Sequence, residues 1–304
     1  MREERDVDLA ELLAEVRRID VQSKRLVTDV MAGGYVSVFR GSGIEFDEVR
    51  EYAEGDDPRH VDWNVTARVG RPFVKKYVDE RERTVLFLLD LSASMTGGFG
   101  IWSARQTAAR VCACLALSAT RSGDKVGLVA FGAGVDRFVP PKKGVGHALR
   151  IVRDCLALPA GAASTDPSSA LELATRAVRR RAIVFLVSDF LSTGWEKALS
   201  LCARRHDLVA VRLLTPELEG LPPGLVRLRD PETGLETVVD GARRSVREAY
   251  ARRVASARRA TEAALARARV DLMDVPVPRA PGKDLVAGPI LRFFRMRELR
   301  GAKR

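Results

Sequence analysis

One carboxylate and two hydroxyl groups stand at alternate positions near the middle of the first half of the chain, in Asp90-Leu91-Ser92-Ala93-Ser94. Carboxylate and hydroxyl oxygens are hard ligands, which suit Mg²⁺ or Mn²⁺ better than zinc. The small ligand charge leaves coordination positions for water or for a carboxylate of a partner protein. The same residues also fit a strand–turn–helix junction in which Ser92 or Ser94 caps the helix. The motif alone allows either interpretation.

Two runs of apolar residues, 85–89 and 182–187, are too short for helices and are typical of inner strands of a parallel sheet. Asp189 follows the second run, and Thr165 lies on a loop between the two runs. In a doubly wound sheet, the carboxyl ends of neighbouring strands meet at one edge, where ligands bind. We therefore predict an all-oxygen Mg²⁺ or Mn²⁺ site that is completed by water. The predicted ligands are Asp90, Ser92, Ser94, Thr165 and Asp189.

The order of the predicted elements indicates an α/β protein. The main predicted strands are 84–90, 125–131, 182–187 and 207–214. They alternate with helices of about ten to fifteen residues, which is the pattern of a doubly wound, mainly parallel sheet. Residues 135–139 are expected to pair beside the second strand and to stop at Pro140-Pro141. A hairpin is predicted to turn at 231–234.

The predicted elements divide the chain into three parts. Residues 1–82 hold an N-terminal helix over 7–31 and a small extended subdomain rich in charged and aromatic residues. Residues 83–276 hold the sheet domain with a C-terminal hairpin and helix. Residues 277–304 form a basic tail, in which a short helix over 290–299 is expected to pack on the body.

The formal net charge of +11 at pH 7 comes mostly from arginine. Such a charge suits nucleic acid, an anionic membrane surface or an acidic protein, and it also arises in proteins from GC-rich genomes. The most basic segment is a long helix predicted over 243–269, whose outer faces carry arginines. We expect a solvated face there and keep nucleic-acid or anionic-surface binding as an alternative. Nucleic acid is disfavoured because the sequence shows neither an RNA-binding aromatic motif nor a zinc finger.

The cysteines and the hydrophobic segments predict the cellular location. The four cysteines have no Cys-x-x-Cys spacing and lie in apolar helical patterns, which indicates buried thiols in a reducing compartment. The first residues lack the apolar segment of a signal peptide, and the longest uncharged run is too short to span a membrane. We therefore expect a cytoplasmic protein without a transmembrane segment.

Motifs of the common enzyme classes are absent from the sequence. It contains neither the P-loop Gly-x-x-x-x-Gly-Lys-Ser/Thr nor a Gly-x-Ser-x-Gly elbow. The histidines, His60, His147 and His206, are scattered and show no zinc spacing. A Mg²⁺-dependent hydrolase with Asp90 as nucleophile is an alternative, although Ser92 stands where an acid–base aspartate is required. We expect a non-enzymatic protein without a small-molecule substrate.

Asp90-x-Ser92-x-Ser94, together with Thr165 and Asp189, resembles the metal-ion-dependent adhesion site of von Willebrand factor type A domains. In such a site the first three residues would be inner ligands. Thr165 would bind directly in one state and through water in another, and Asp189 would act through water. The open coordination position would accept a Glu or Asp from a partner protein.

A block upstream of this motif resembles the bacterial DUF58 family, in which it precedes such a metal loop. The matching residues lie at 43–52, 55–59, 62–63, 66–68 and 80. With the metal motif, the resemblance covers roughly residues 35–215. It implies a type A fold, with a sheet of about six strands and helices on both faces. It also implies a MoxR-type AAA+ ATPase as partner, with this chain as an adaptor in chaperone-like assembly or maturation of client proteins.

Part of the same block is a candidate docking surface for a partner or for another part of this chain. Its charged residues and tryptophan suit protein contacts, and the alternative is a structural ion-pair network. The candidate residues are Asp56, Asp57, Arg59, Asp62, Trp63 and Arg68.

Overall fold

A computed structural model describes residues 14, 17, 45–53, 56–57, 61–78, 82–160, 165–282 and 284–301. Contacts divide the chain into two compact units, Phe39–Glu82 and the remainder. The helix predicted over 7–31 lies outside the described residues except for Ala14 and Arg17, which are both helical. Among the described residues, none of the helices combines the length and the apolar composition that crossing a lipid bilayer requires.

The smaller unit contains an antiparallel strand pair and a short helix. Strands β1 (Glu45–Glu51) and β2 (Phe73–Val78) pair with each other. Helix α1 (Trp63–Val69) begins after Asp62, whose carboxylate accepts hydrogen bonds from amides of the first turn. The helix ends at Gly70, whose φ of 74° is the left-handed conformation that glycine adopts easily.

The larger unit is built on a mostly parallel sheet. The strands of this unit are, in chain order, β3 (Thr84–Asp90), β4 (Lys125–Phe131), β5 (Val135–Lys142), β6 (Ile183–Ser188), β7 (Asp207–Leu214), β8 (Leu225–Arg229), β9 (Glu236–Asp240) and β10 (Asp271–Pro276). Within the described residues, six of them form one sheet in the order β10-β7-β6-β3-β4-β5, and only β4 and β5 pair antiparallel. The remaining two, β8 and β9, pair with each other as a separate hairpin. The predicted fold class, a doubly wound, mainly parallel sheet of about six strands, is confirmed.

Helices lie between the strands of the larger unit, and one more follows the last strand. They are α2 (Ala104–Arg121), α3 (Val145–Ala157), α4 (Pro167–Ala177), α5 (Glu196–Arg205), α6 (Arg244–Arg267) and α7 (Ala287–Gly301). The central strand β3 is buried on both faces. Leu86 and Leu88 pack in one apolar cluster with residues of α4, α5 and α6. The alternate residue Phe87 faces the other side of the sheet and stacks on Phe185, with ring centroids 5.6 Å apart.

Two strands of the sheet differ from the prediction. β5 continues through Pro140 and Pro141, because it is an edge strand, where a missing amide hydrogen costs little. β10 was not predicted, because its acidic residues and its terminal proline interrupt any apolar run. This strand extends the sheet beyond β7 at the opposite edge.

The C-terminal helix and the cysteines agree with expectation. Helix α7 begins three residues earlier than predicted, at Ala287. Ile290, Phe293 and Phe294 are buried, which confirms that this helix packs on the body. The four cysteines are buried, free thiols.

Candidate metal centre

Asp90 lies at the carboxyl end of β3, and 1% of its surface is exposed. Its Oδ1 accepts a hydrogen bond from the amide of Ser92 at 2.8 Å, and its Oδ2 accepts one from the hydroxyl of Ser188 at 2.6 Å. Burial raises the pKa of Asp90 to about 6, and the negative charge of Asp189 acts in the same direction, against these hydrogen bonds. The carboxylate is therefore held in one orientation by donors from its own loop and from the neighbouring strand.

The two serines of the motif lie close together in the following turn. Ser92 is 2% exposed, and its Oγ lies 3.0 Å from the Oγ of Ser94, so that one hydroxyl donates to the other. A 3-10 turn, Ala93–Thr96, sets this spacing. Helix α2 begins at Ala104 and is capped by Ser103, which also takes part in a capping box. Ser92 stands at the N-cap position of the 3-10 turn without a side-chain capping hydrogen bond, and the α-helix that follows is capped by Ser103 instead of Ser92 or Ser94.

Asp189 directly follows β6, the parallel neighbour of β3, so that the structure brings it to the edge where Asp90 lies. It is 7% exposed, and its Oδ1 accepts a hydrogen bond from the amide of Leu191 at 3.1 Å. Its Oδ2 is buried and has no hydrogen-bond partner among the described residues. Burial raises the pKa of Asp189; the Ser94 hydroxyl opposes this shift, and the charge of Glu232 adds to it.

The turn after β6 is held by backbone and aromatic contacts. Phe190 has a φ of 58°, a conformation that costs non-glycine residues about 1–2 kcal/mol. Its amide donates to the hydroxyl of Ser188 at 2.9 Å, and its ring packs edge-on against Trp195 with centroids 5.6 Å apart. These contacts offset the backbone cost and fix the direction in which the Asp189 side chain leaves the sheet.

Thr165 lies immediately before α4. Asp166 caps this helix with its side chain, and Pro167 occupies the first helical position. The amide of Asp166 donates to the carbonyl of Gly132 at 2.8 Å, which attaches the loop to the end of β4. The Oγ1 of Thr165 is buried and lacks a hydrogen-bond partner in the part of the chain that the structure describes. Residues 161–164 of the same loop lie outside that part.

Glu232, at the tip of the β8–β9 hairpin, contributes to this site, although sequence reasoning did not place it there. Its Oε1 accepts a hydrogen bond from the amide of Ser94 at 3.1 Å. Its Oε2 is buried and, among the residues described, has no hydrogen-bond partner. Sequence offered no signal for this contact, because only the folded position of the hairpin creates it. Ser188 was also missed, although its place between a buried strand and Asp189 was a usable signal.

The arrangement fits a hard divalent cation. Buried polar atoms of native proteins are nearly always paired, and a bound cation would satisfy the oxygens of Thr165, Asp189 and Glu232, which have no hydrogen-bond partner among the described residues. All side-chain atoms of the site that would coordinate an ion are carboxylate or hydroxyl oxygens, the ligand set that Mg²⁺ and Mn²⁺ prefer. Within the described residues, no group of three or more His, Cys, Asp or Glu side chains is placed to bind one metal ion. The serine and threonine hydroxyls, together with water, would therefore supply part of the coordination.

The sequence profile of the family described as "Protein of unknown function DUF58" matches residues 48–260. The chain belongs to this family. It is 33% identical over 260 residues to the uncharacterized protein Rv1480 of Mycobacterium tuberculosis, which covers 83% of this chain and 81% of that protein. The predicted DUF58 membership is thus confirmed.

Solved structures that resemble this DUF58 protein include two domains of low sequence identity. The hypothetical protein BatB from Bacteroides thetaiotaomicron is 18% identical with a TM-score of 0.44, covering 73% of this chain and 100% of BatB. The von Willebrand factor type A domain of SpRpn10 is 14% identical with a TM-score of 0.38, covering 69% of this chain and 94% of that domain.

The residues of the candidate docking surface have different surroundings. Asp56 accepts two hydrogen bonds from the guanidinium of Arg50, at 2.6 and 2.8 Å, and these lower its pKa. Asp62 caps α1, so both aspartates have structural roles. Trp63, by contrast, is 72% exposed, and Arg68 in the last turn of α1 is exposed as well. Asp57 is half-buried, and Arg59 lies outside the described residues.

Proposed function

We propose that this DUF58 protein is a non-enzymatic module that binds a partner protein through a divalent cation at the carboxyl edge of its sheet. The observation that carries the proposal is the buried, unpartnered Oδ2 of Asp189 at the edge that also holds the hydroxyl pair of Ser92 and Ser94. Mg²⁺ or Mn²⁺ is the proposed ion. The proposed ligands are Asp90, Ser92, Ser94, Thr165 and Asp189.

The chain's own residues prepare this site before any partner arrives. The bound ion would supply a Lewis-acidic contact for a carboxylate of the partner. Ser188 and the Ser92 amide hold the carboxylate of Asp90, and the Leu191 amide holds one oxygen of Asp189. Because these donors are fixed by the sheet and its turns, little ordering is needed on binding, which favours affinity.

Exposed apolar side chains on the ligand-bearing loops suit a protein partner. Phe99 follows the Asp90 loop and is 87% exposed, and Leu191 follows Asp189 and is 52% exposed. Large apolar side chains around polar contacts are typical of protein interfaces. Based on the family resemblance, the proposed partner is a MoxR-type AAA+ ATPase that presents a Glu or Asp, and this chain would act as an adaptor in assembly or maturation of client proteins.

The geometry of Asp90 argues against the hydrolase alternative. A nucleophilic carboxylate must reach its substrate, whereas Asp90 is 1% exposed and both of its oxygens accept hydrogen bonds from the protein. For the basic helix α6, Arg244 and Arg252 both lie near Glu248, at 2.6 and 3.8 Å, on a solvated face. Such exposed pairs are typical of surface helices and give no support to nucleic-acid binding.

A pull-down with a purified MoxR-type ATPase tests the proposal. The unmodified chain should retain the ATPase in Mg²⁺ and release it in a chelator. Ser92→Ala should abolish retention, because it removes one ligand hydroxyl. Ser200→Ala is the matched control, since the Ser200 hydroxyl donates to the carbonyl of Glu196 on α5, away from the site. Equal retention in Mg²⁺ and in chelator would contradict the proposed function.

A further inference from the structure

The tip of the β8–β9 hairpin places the carboxylate of Glu232 against the loop that carries the Asp90 motif. Glu232 Oε1 accepts from the Ser94 amide at 3.1 Å, across 138 positions of sequence. The residue as a whole is half-buried, yet its Oε2 is buried without a hydrogen-bond partner among the described residues. Burying a carboxylate oxygen without a partner is costly, which makes this position informative about what binds there.

The hairpin turn is built to hold Glu232 in this place. Asp230 Oδ1 accepts hydrogen bonds from the amides of Glu232 at 2.9 Å and Thr233 at 3.4 Å, and the Glu232 amide is the main reason why the pKa of Asp230 is low. Gly234 closes the turn by donating to the carbonyl of Asp230 at 2.8 Å, with a φ of 71°. The backbone at Glu232 is thus oriented by its own turn, independently of the contact with Ser94.

A second carboxylate independently points to a cation at the same place. Asp189 is 7% exposed, and its Oδ2 has no hydrogen-bond partner within the described residues. A cation bound beside two buried carboxylates offsets their mutual repulsion, which otherwise favours protonation of one of them. Arg105 is buried, and its Nε and Nη2 donate to the carbonyls of Cys155 and Leu158.

We propose that Glu232 is an internal ligand of the cation site, which occupies the coordination position that a partner's Glu or Asp would take, while Asp189 acts through water. This inference rests on the proposed function, because it requires that the site binds a divalent cation. Glu232 and the partner then compete for one position, so that the hairpin tip must leave before the partner's carboxylate binds. The hairpin therefore acts as a built-in competitor that restricts recognition to partners able to displace it.

The attachment of the hairpin suits such a displacement. Strands β8 and β9 pair with each other and not with the large sheet. At the base of the hairpin, the amide of Gly241 donates to the carbonyl of Gly224 at 2.7 Å, and Arg247 donates to the carbonyl of Gly241 at 2.6 Å. The base is held by these hydrogen bonds, and within the described residues the printed hydrogen bond between tip and site is that of Glu232, so displacement of the tip would leave the main sheet intact.

Titration of Mg²⁺ alone, followed by calorimetry, tests the role of Glu232 in the full-length chain. Glu232→Gln removes the charge and keeps the shape, and we expect its Mg²⁺ affinity to fall by on the order of tenfold. Glu236→Gln is the matched control, because Glu236 lies in the same hairpin and contacts Arg227 at 3.8 Å on the surface. Asp230→Ala keeps the ligand but loosens the turn, and we expect a smaller loss of affinity.

Hydrogen exchange of residues 225–240 provides a second measurement that does not depend on affinity. Mg²⁺ should increase protection of the hairpin in the unmodified chain and in Glu236→Gln, but not in Glu232→Gln. If the unmodified chain binds Mg²⁺ and Glu232→Gln matches it in both affinity and protection, the internal ligand is refuted while the metal site stands. If the unmodified chain binds no Mg²⁺, both the proposed function and this inference are wrong.

Discussion

Ser188 donates its hydroxyl hydrogen to Asp90 Oδ2 at 2.6 Å, although 98 positions separate the two residues in sequence. The contact follows from the register of the parallel strands, in which Leu89 pairs with Val187 one step earlier. The same hydroxyl accepts the amide of Phe190, which starts the turn that carries Asp189. One serine thus links both carboxylates of the site to the two central strands.

The unusual pKa of Asp90 predicts how stability depends on pH without metal. Its folded pKa of about 6 lies above its ordinary value of 3.8, so the folded chain keeps a proton that the unfolded chain releases. The contribution of Asp90 to the free energy of unfolding is therefore complete below about pH 4 and is lost as pH rises through 6. The loss amounts to up to about 3 kcal/mol. The raised pKa of Asp189 acts in the same direction.

Denaturant unfolding in chelator across this pH range measures the effect. In Asp90→Asn, the free energy of unfolding should fall much less as pH rises, because this variant carries no ionisable group at position 90. Asp136→Asn, at an exposed position of β5, is the control and should keep the decrease of the unmodified chain. The account of Asp90 fails if Asp90→Asn and the unmodified chain show the same dependence on pH.

At Gly100, a single added methyl group is expected to disturb the loop between the metal motif and α2. A Cβ at this position would overlap the backbone carbonyl of Pro278, which accepts the amide of Ile101 at 3.2 Å. Since a backbone atom cannot move aside like a flexible side chain, Gly100→Ala should destabilise the chain by about 1–3 kcal/mol. Gly134→Ala has open space around its new methyl group and should change the unfolding free energy little, as thermal unfolding will show.

Replacement of Trp63 is expected to weaken partner binding with little change in the free energy of unfolding. The side chain is 72% exposed, so Trp63→Ala should alter the free energy of unfolding by no more than about 0.5 kcal/mol. Retention of the ATPase in the pull-down should nevertheless fall severalfold, because exposed tryptophans are frequent energetic centres of interfaces. Unchanged retention with Trp63→Ala would remove this residue from the proposed docking surface.

Local patterns were sufficient to predict the central elements of the site. An uninterrupted apolar run located β3, and the polar residues after it and after β6 located Asp90 and Asp189 at one edge. The strands that differ from the prediction lie at the sheet edges, where burial is incomplete: β10 was missed because two aspartates interrupt its apolar residues, and β5 is longer than predicted because it tolerates two prolines. Their assignment depends on tertiary pairing that no local pattern records.

A different reason explains why the contact between Glu232 and Ser94 could not be predicted. A tip sequence such as Asp230-Pro231-Glu232-Thr233-Gly234 predicts a turn, but not the surface on which that turn rests. The position of the hairpin relative to Ser94 is set by the chain between β7 and α6, which contains little regular structure besides β8 and β9. Side-chain chemistry therefore predicted the polar residues that follow the strands and missed Glu232, which reaches Ser94 from a separate hairpin.

Calorimetric titration of Mg²⁺ into the metal-free chain at neutral pH tests the central claim most directly. We expect the unmodified chain and the surface control Asp136→Ala to bind a single ion with equal affinity. Asp90→Ala should fold normally and lose measurable binding, because it removes the carboxylate at the centre of the site. Binding by Asp90→Ala with the affinity of the unmodified chain, or no binding by the unmodified chain, would contradict the claim that this sheet edge holds a cation.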